Sequence, residues 1–225
     1  MFPLKDTIRS NTFPVVNTAI IALNLLIFVF EFTLGRQMDA FIREFGLTPV
    51  RFYWGLHHDL SDAILPIFTS MFLHGGWIHV LGNMWFLFIF GDNVEDRLGG
   101  LRYLIFYLLS GVAAALLQAY ILSGSNAPMV GASGAIAGVL GAYLVLFPRA
   151  RVASLVPILF IFTIVELPAI VFLLFWFVSQ LFSGLFVLNG GSGSGVAWWA
   201  HIGGFAFGMV AGLLFTPRRR YPQVY

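Results

Sequence analysis

The sequence contains no cysteine, which excludes a disulfide framework, a thiolate metal site and a cysteine nucleophile. Charge is scarce too: only 10% of the 225 residues are Asp, Glu, Lys or Arg, against roughly 25% in an ordinary soluble domain. Long polar tracts and repeats are missing, and disordered, coiled-coil and collagen-like chains are excluded with them. The formal charge of +2 is too small, and too confined to loop ends, for nucleic-acid binding.

What remains is apolar, at 59% of the chain. Six spans of about 20 residues would use about 120 apolar positions, close to the supply of about 133. The arithmetic points to an all-α polytopic membrane protein, a six-transmembrane-helix bundle, with residues 1–225 forming one domain. No cleavable signal is expected before the first apolar run, because no small-residue cleavage pattern follows it.

The expected spans are 15–34, 77–90, 103–122, 132–147, 168–188 and 197–216. Between the first two, Gly35 to Gly76 mixes Arg36, Arg43 and Arg51 with Phe and Leu and is expected to be an outer loop with interfacial pieces. The run Val152–Leu188 is too long for one helix, and its first part is expected to lie along the interface. Gly190–Gly195 is a short flexible link before the last span. The run Asp92 to Arg97 is expected to be a solvated inner helix end.

Basic residues set the orientation, because Lys and Arg beside a span are retained on the cytoplasmic side. An inside N-terminus places Lys5, Arg9, Arg97, Arg102, Arg149, Arg151 and Arg218 to Arg220 inside and only Arg36, Arg43 and Arg51 outside, nine against three. A seventh span would move the Arg218–Arg220 cluster to the wrong side. Both termini are therefore expected to be cytoplasmic.

Polar side chains within spans are costly and mark candidate sites. The second span carries His79 and Asn83, which share a helix face at i and i+4. The fourth opens with Gly131-Ala132-Ser133-Gly134, and the sixth carries His201. Measured from the cytoplasmic ends at about 1.5 Å per residue, Ser133 lies about 22 Å up, His201 about 24 Å, Asn83 about 21 Å and His79 about 27 Å. Three helices thus bring polar groups to similar depth, somewhat below the outer surface.

Small residues at spacing four let membrane helices approach closely. Gly134 and Gly138 form such a stripe on the fourth span, and Gly204, Gly208 and Gly212 on the sixth, where His201 shares the stripe. If these stripes meet, His201 faces Ser133. A serine at a helix start beside a histidine has the parts of a nucleophile and its general base, and the helix N-terminus offers free N–H groups to an oxyanion. No carboxylate lies at that level to orient the imidazole, so a dyad is expected rather than a triad.

Taken singly, each residue also has a plain structural role: Ser133 as a cap, His201 in a structural hydrogen bond, His79 with Asn83 as an interhelical clamp. His57, His58 and His74 invite a metal argument, but His74 and His79 are five apart, which on a helix points them to different faces. No metal site is expected.

In combination these residues resemble the rhomboid family of intramembrane serine proteases, along essentially the whole chain. The matching motifs are His74-Gly-Gly-Trp-Ile-His79-Val-Leu-Gly-Asn83, Gly91-x-x-x-Glu95-x-x-x-Gly99, Gly131-Ala-Ser133-Gly134 and Ala200-His201-x-x-Gly204-x-x-x-Gly208. The resemblance implies Ser133 as nucleophile and His201 as base, with His79, Asn83 and the Ser133 backbone N–H as the oxyanion site. It implies that Gly131 allows close approach of its loop, and that no cofactor is needed. Substrates would be membrane-anchored proteins cut within or beside a transmembrane helix. The first outer loop would be the family's partly embedded hairpin, the fifth helix its lateral gate, and Gly190–Gly195 part of a mobile cap.

Two positions depart from the family pattern. A Trp-Arg pair before the second span is here Leu65-Pro66, and an aromatic four residues after the serine is Ala137, leaving Trp198 or Trp199 to take its place under the histidine. The alternatives are a non-catalytic member of the same fold that binds membrane helices, and a small transporter or channel lined by His79, Asn83 and His201. The compact build fits a bacterial plasma membrane, with the site opening to the extracytoplasmic side.

Overall fold

A computed structural model describes residues 1–158, 161–189 and 195–216. Along the chain run β1 (Phe2–Asp6), α1 (Val15–Thr33), a 3-10 turn (Gly35–Gln37), α2 (Met38–Phe45), α3 (Pro49–His58), α4 (Leu60–Thr69), α5 (Trp77–Leu98), α6 (Gly100–Ile121) and α7 (Ser133–Leu146). They are followed by β2 (Arg151–Ile158), β3 (Ile161–Pro168), α8 (Ala169–Leu188) and α9 (Trp198–Phe215). Among the described residues, α1, α6, α8 and α9 are long and apolar enough to cross a membrane, while α7 is a shorter apolar helix.

α7 is the centre of the bundle, with Gly134 through Leu144 all buried. Its glycines make that possible. A Cβ on Gly204 would overlap the Gly134 carbonyl oxygen, and one on Gly208 the Gly138 carbonyl oxygen, so α7 and α9 touch backbone to backbone. The two stripes expected to meet do meet.

α1 carries its polar residues inward: Asn17, Asn24 and Glu31 are buried with Ile20 and Phe28, while Leu23, Leu26, Val29 and Phe30 are exposed. This is the polarity of a helix whose outer face meets lipid. Glu95 on α5 fixes its lower end. The carboxylate accepts the Val16 and Asn17 backbone N–H groups at 3.0 and 2.6 Å, capping two of the free donors of the helix start. Asp96 accepts from Asn11 and from the backbone and hydroxyl of Thr12. The C-terminal end of α5, expected to be solvated, is not: Asn93 and Glu95 are buried, and α5 continues to Leu98 instead of stopping near residue 90.

The segment between α1 and α5, expected to be an outer loop, folds into the short helices α2, α3 and α4. Arg51 ties them, reaching Glu44 at 3.0 Å and Asp62 at 2.6 Å, and the Thr69 hydroxyl donates to the Phe45 carbonyl. Pro66 sits buried inside α4. These contacts hold the loop although Leu65-Pro66 replaces the family's Trp-Arg pair.

The all-α expectation needs one correction. Residues 151–168, expected to lie along the interface before a helix, form a β-hairpin joined by the N-terminal strand into an antiparallel sheet of order β1-β2-β3. The segment is rich in β-branched residues, and Pro157 lies beyond the stretch of β2 that β1 covers, where a missing N–H costs no bond to β1. Two contacts dock β1 on α5: Trp85 Nε1–H donates to the Pro3 carbonyl at 2.7 Å, and Asn93 donates to Asp6 at 2.9 Å. The Tyr143 hydroxyl also donates to Asp6, and burial pushes that carboxyl up to about 6. The Arg218–Arg220 cluster and most of Gly190–Gly195 fall outside the described residues.

Candidate active site

Ser133 is the first residue of α7, where backbone N–H groups have no partner within the helix. The segment leading to it is pinned from two sides. Leu47 and Met129 exchange both backbone hydrogen bonds, and the Gly131 N–H donates to the Ser70 carbonyl at 2.8 Å. Gly131 has φ +122, and a Cβ there would come 2.6 Å from His79 Nε2 and 3.5 Å from Asn83 Nδ2. Only glycine allows that backbone conformation and that approach together.

His201 lies in the first turn of α9 and is 8% exposed. Its Nε2 stands 2.8 Å from Ser133 Oγ. On the ring's other side Nδ1 stands 2.8 Å from Gln180 Oε1, on α8. Trp176 lies 5.7 Å from the imidazole centroid at 33°, and Trp198 lies 6.0 Å away, edge-on at 90°. Trp176 and Trp198 are the indole rings beside the imidazole, while Trp199, the other candidate from sequence, packs against Gly184. Gln118 on α6 accepts the Ala200 N–H at 3.2 Å and steadies the start of α9.

An open cavity of about 820 Å³ leads to the pair, lined by His79, Asn83, Ser133 and His201 with Trp77, Met129 and Val196 at its walls. Asn83 Nδ2 is buried without a protein partner. That donor and His79 Nε2 converge on Gly131, two residues before the Ser133 helix start. The residues expected at the site from sequence are brought together: Ser133, His201, His79 and Asn83 line the cavity, Gly131 packs against His79 and Asn83 beside it, and Gly134, Gly204 and Gly208 set the helix approach behind it.

Three neighbours went unread in the sequence: Gln180, Trp176 and Gln118. Gln180 and Trp176 share a face of α8 at i and i+4, and Gln180 is a strongly polar residue in an apolar span, so the intramembrane polarity that flagged His201 applied to it as well. The imidazoles of His74 and His79 are also closer than expected, at 5.1 Å between centroids, because His74 precedes α5 rather than lying on it. Among the described residues no group of three His, Cys, Asp or Glu is placed to hold a metal ion.

Comparison with known proteins agrees with this architecture. The rhomboid domain model matches residues 61–218. RHOMBOID-like protein 4 of Arabidopsis thaliana is 33% identical over 161 residues, covering 72% of this chain and 36% of that protein. The human presenilin-associated rhomboid-like protein, mitochondrial, is 29% identical over 150 residues, 65% of this chain and 36% of that protein. Rhomboid protein 1, mitochondrial, of Saccharomyces cerevisiae is 31% identical over 116 residues, 50% of this chain and 32% of that protein. The chain belongs to the rhomboid family and is a membrane protein. It spans between 25% and 37% of the length of the Arabidopsis relatives it matches.

Proposed function

We propose that this protein is an intramembrane serine endopeptidase that cuts membrane-anchored proteins within or beside a transmembrane helix. The observation that carries the proposal is the 2.8 Å contact between Ser133 Oγ and His201 Nε2 at the end of an open cavity. In acylation, the Ser133 hydroxyl passes its proton to His201 Nε2 as Oγ bonds to the scissile carbonyl carbon. The oxyanion forms beside the Ser133 N–H, Asn83 Nδ2 and His79, donors already in place before the charge develops. His201 then gives the proton to the leaving amine, the C–N bond breaks, and a water activated by the same imidazole hydrolyses the acyl-enzyme.

Six helices cross the membrane in this proposal: α1, α5, α6, α7, α8 and α9. The termini are cytoplasmic, as the basic residues demand, and the cavity opens on the opposite face. The bilayer is a bacterial plasma membrane; the relatives named as mitochondrial and chloroplastic make an organellar membrane the alternative.

The test is cleavage of a tagged single-span substrate by the purified full chain in liposomes. Wild type produces one defined cut, Ser133→Ala produces none, and His201→Ala loses roughly 10²–10⁴ in rate. Cleavage by Ser133→Ala at the wild-type rate overturns the proposal.

A further inference from the structure

A serine–histidine pair works only if the histidine presents a bare Nε2 to the hydroxyl, which requires that the ring proton sit on Nδ1. In solution neutral imidazole carries it on either nitrogen, and among the described residues no carboxylate is hydrogen-bonded to His201 to decide between them. The surroundings of Gln180 supply the decision. Its Nε2 faces two acceptors, the Trp176 carbonyl at 3.2 Å and Ser179 Oγ at 3.0 Å. The Ser179 hydroxyl is itself committed as a donor to the Trp176 carbonyl at 2.6 Å, so toward Gln180 it can only accept. The amide therefore cannot be turned around without setting its oxygen against a carbonyl. Its Oε1 is left facing His201 Nδ1, and a carbonyl oxygen there accepts a hydrogen only from a protonated Nδ1.

We propose that Gln180 is a positioning residue that locks His201 in the Nδ1–H tautomer and so frees Nε2 for Ser133. This inference rests on His201 being the base of the proposed protease. Gln180 is 7% exposed and fixed at three points, so the lock is held by the fold rather than by solvent. A neutral amide does this without adding a charge to an apolar bundle, where a carboxylate would need its own compensation. Trp176, flanking the ring, belongs to the same helical turn, so one turn of α8 sets both the plane and the proton of the base. The titratable group facing His201 is His79 on α5; α8 contributes none among its residues.

The primary test reads the tautomer without using activity. In full-length protein labelled with ¹⁵N-histidine, in detergent micelles and carrying Ser133→Ala, the His201 resonances are identified by their loss in His201→Ala. Couplings from the ring C–H protons then distinguish protonated from bare nitrogen. The expected result is a protonated Nδ1 with Gln180 present and a tautomer mixture in Gln180→Met, which keeps the side-chain length and removes the acceptor. An unchanged tautomer in Gln180→Met overturns the proposal.

Kinetics supply the second reading. Gln180→Met lowers kcat roughly 10- to 100-fold with KM nearly constant, short of a general base's full contribution because His201 still samples the productive tautomer. Gln180→Glu restores an acceptor and adds a negative charge, so it recovers activity while the acidic limb of the pH–rate profile moves up by about one unit or more. If Gln180→Met does not fold, a folded Gln180→Glu whose acidic limb stays in place overturns the proposal by itself. A wild type that cleaves nothing counts against the protease reading and leaves the tautomer measurement standing, so the two failures are separable.

Discussion

Ser133 and His201 were legible because the membrane makes them conspicuous. A hydroxyl at a helix start is commonplace in a soluble protein, but at the same depth as two histidines and an asparagine in apolar helices it requires a reason. Gln180 meets the same criterion, a strongly polar residue in an apolar span, and in the proposed lock a neutral amide takes the place of a carboxylate. The Asn83 amide belongs to this scale as well. Its Nδ2 is buried without a protein partner, and a donor left so is available to a developing oxyanion. Asn83→Ala is expected to lower kcat by roughly 10²–10³ with little change in KM, measured on a cleavable substrate under saturating conditions. An unchanged kcat would remove Asn83 from the oxyanion site.

Among elements, the helices were readable and the sheet was not. The start and end of α1, α6, α7, α8 and α9 fall within a few residues of the spans expected from hydropathy alone, since an apolar run between polar flanks has few other solutions in a bilayer. The hairpin of β2 and β3 is as apolar as a span, and the strand that completes its sheet lies at the far end of the chain, so neither local pattern nor spacing announces it. The Gly91-x-x-x-Glu95-x-x-x-Gly99 motif was visible as a string, but its use in capping α1 depends on two helices meeting. Dependence on α8 for both Trp176 and Gln180 likewise appears only once α8 stands against α9.

The docking of β1 also gives a pH dependence. The Asp6 carboxyl is raised to about 6 by burial, so the folded state holds its proton more tightly than the unfolded chain does. Its contribution to stability is greatest when protonated, declines as pH rises from about 4 to about 6, and is lost above that. After screening at a part-exposed group the effect is about 1–2 kcal/mol. Asp6→Asn keeps an acceptor for Tyr143 and removes the charge. Thermal unfolding in detergent should show wild type losing stability relative to Asp6→Asn between pH 4 and pH 7, and parallel curves would contradict this account of β1.

At the scale of the whole molecule, the proposed function requires a reactive hydroxyl below the membrane surface yet open to water, and a short central helix supplies that placement. α7, at about 21 Å, is shorter than a hydrocarbon layer of about 30 Å. With its C-terminal end at the cytoplasmic surface, as proposed, its N-terminus stops beneath the opposite surface, and the open cavity at that end is walled by the longer α5 and α9. Backbone contact between α7 and α9 at Gly134, Gly138, Gly204 and Gly208 holds Ser133 and His201 in register, and α8 closes the site from the side. The most direct measurement of the central claim is labelling of the purified full chain with a fluorophosphonate, followed by peptide mapping of the adduct. The account predicts one phosphonylated residue, Ser133, with labelling lost in Ser133→Ala and strongly slowed in His201→Ala. Labelling at another residue, or equal labelling of wild type and Ser133→Ala, would contradict it.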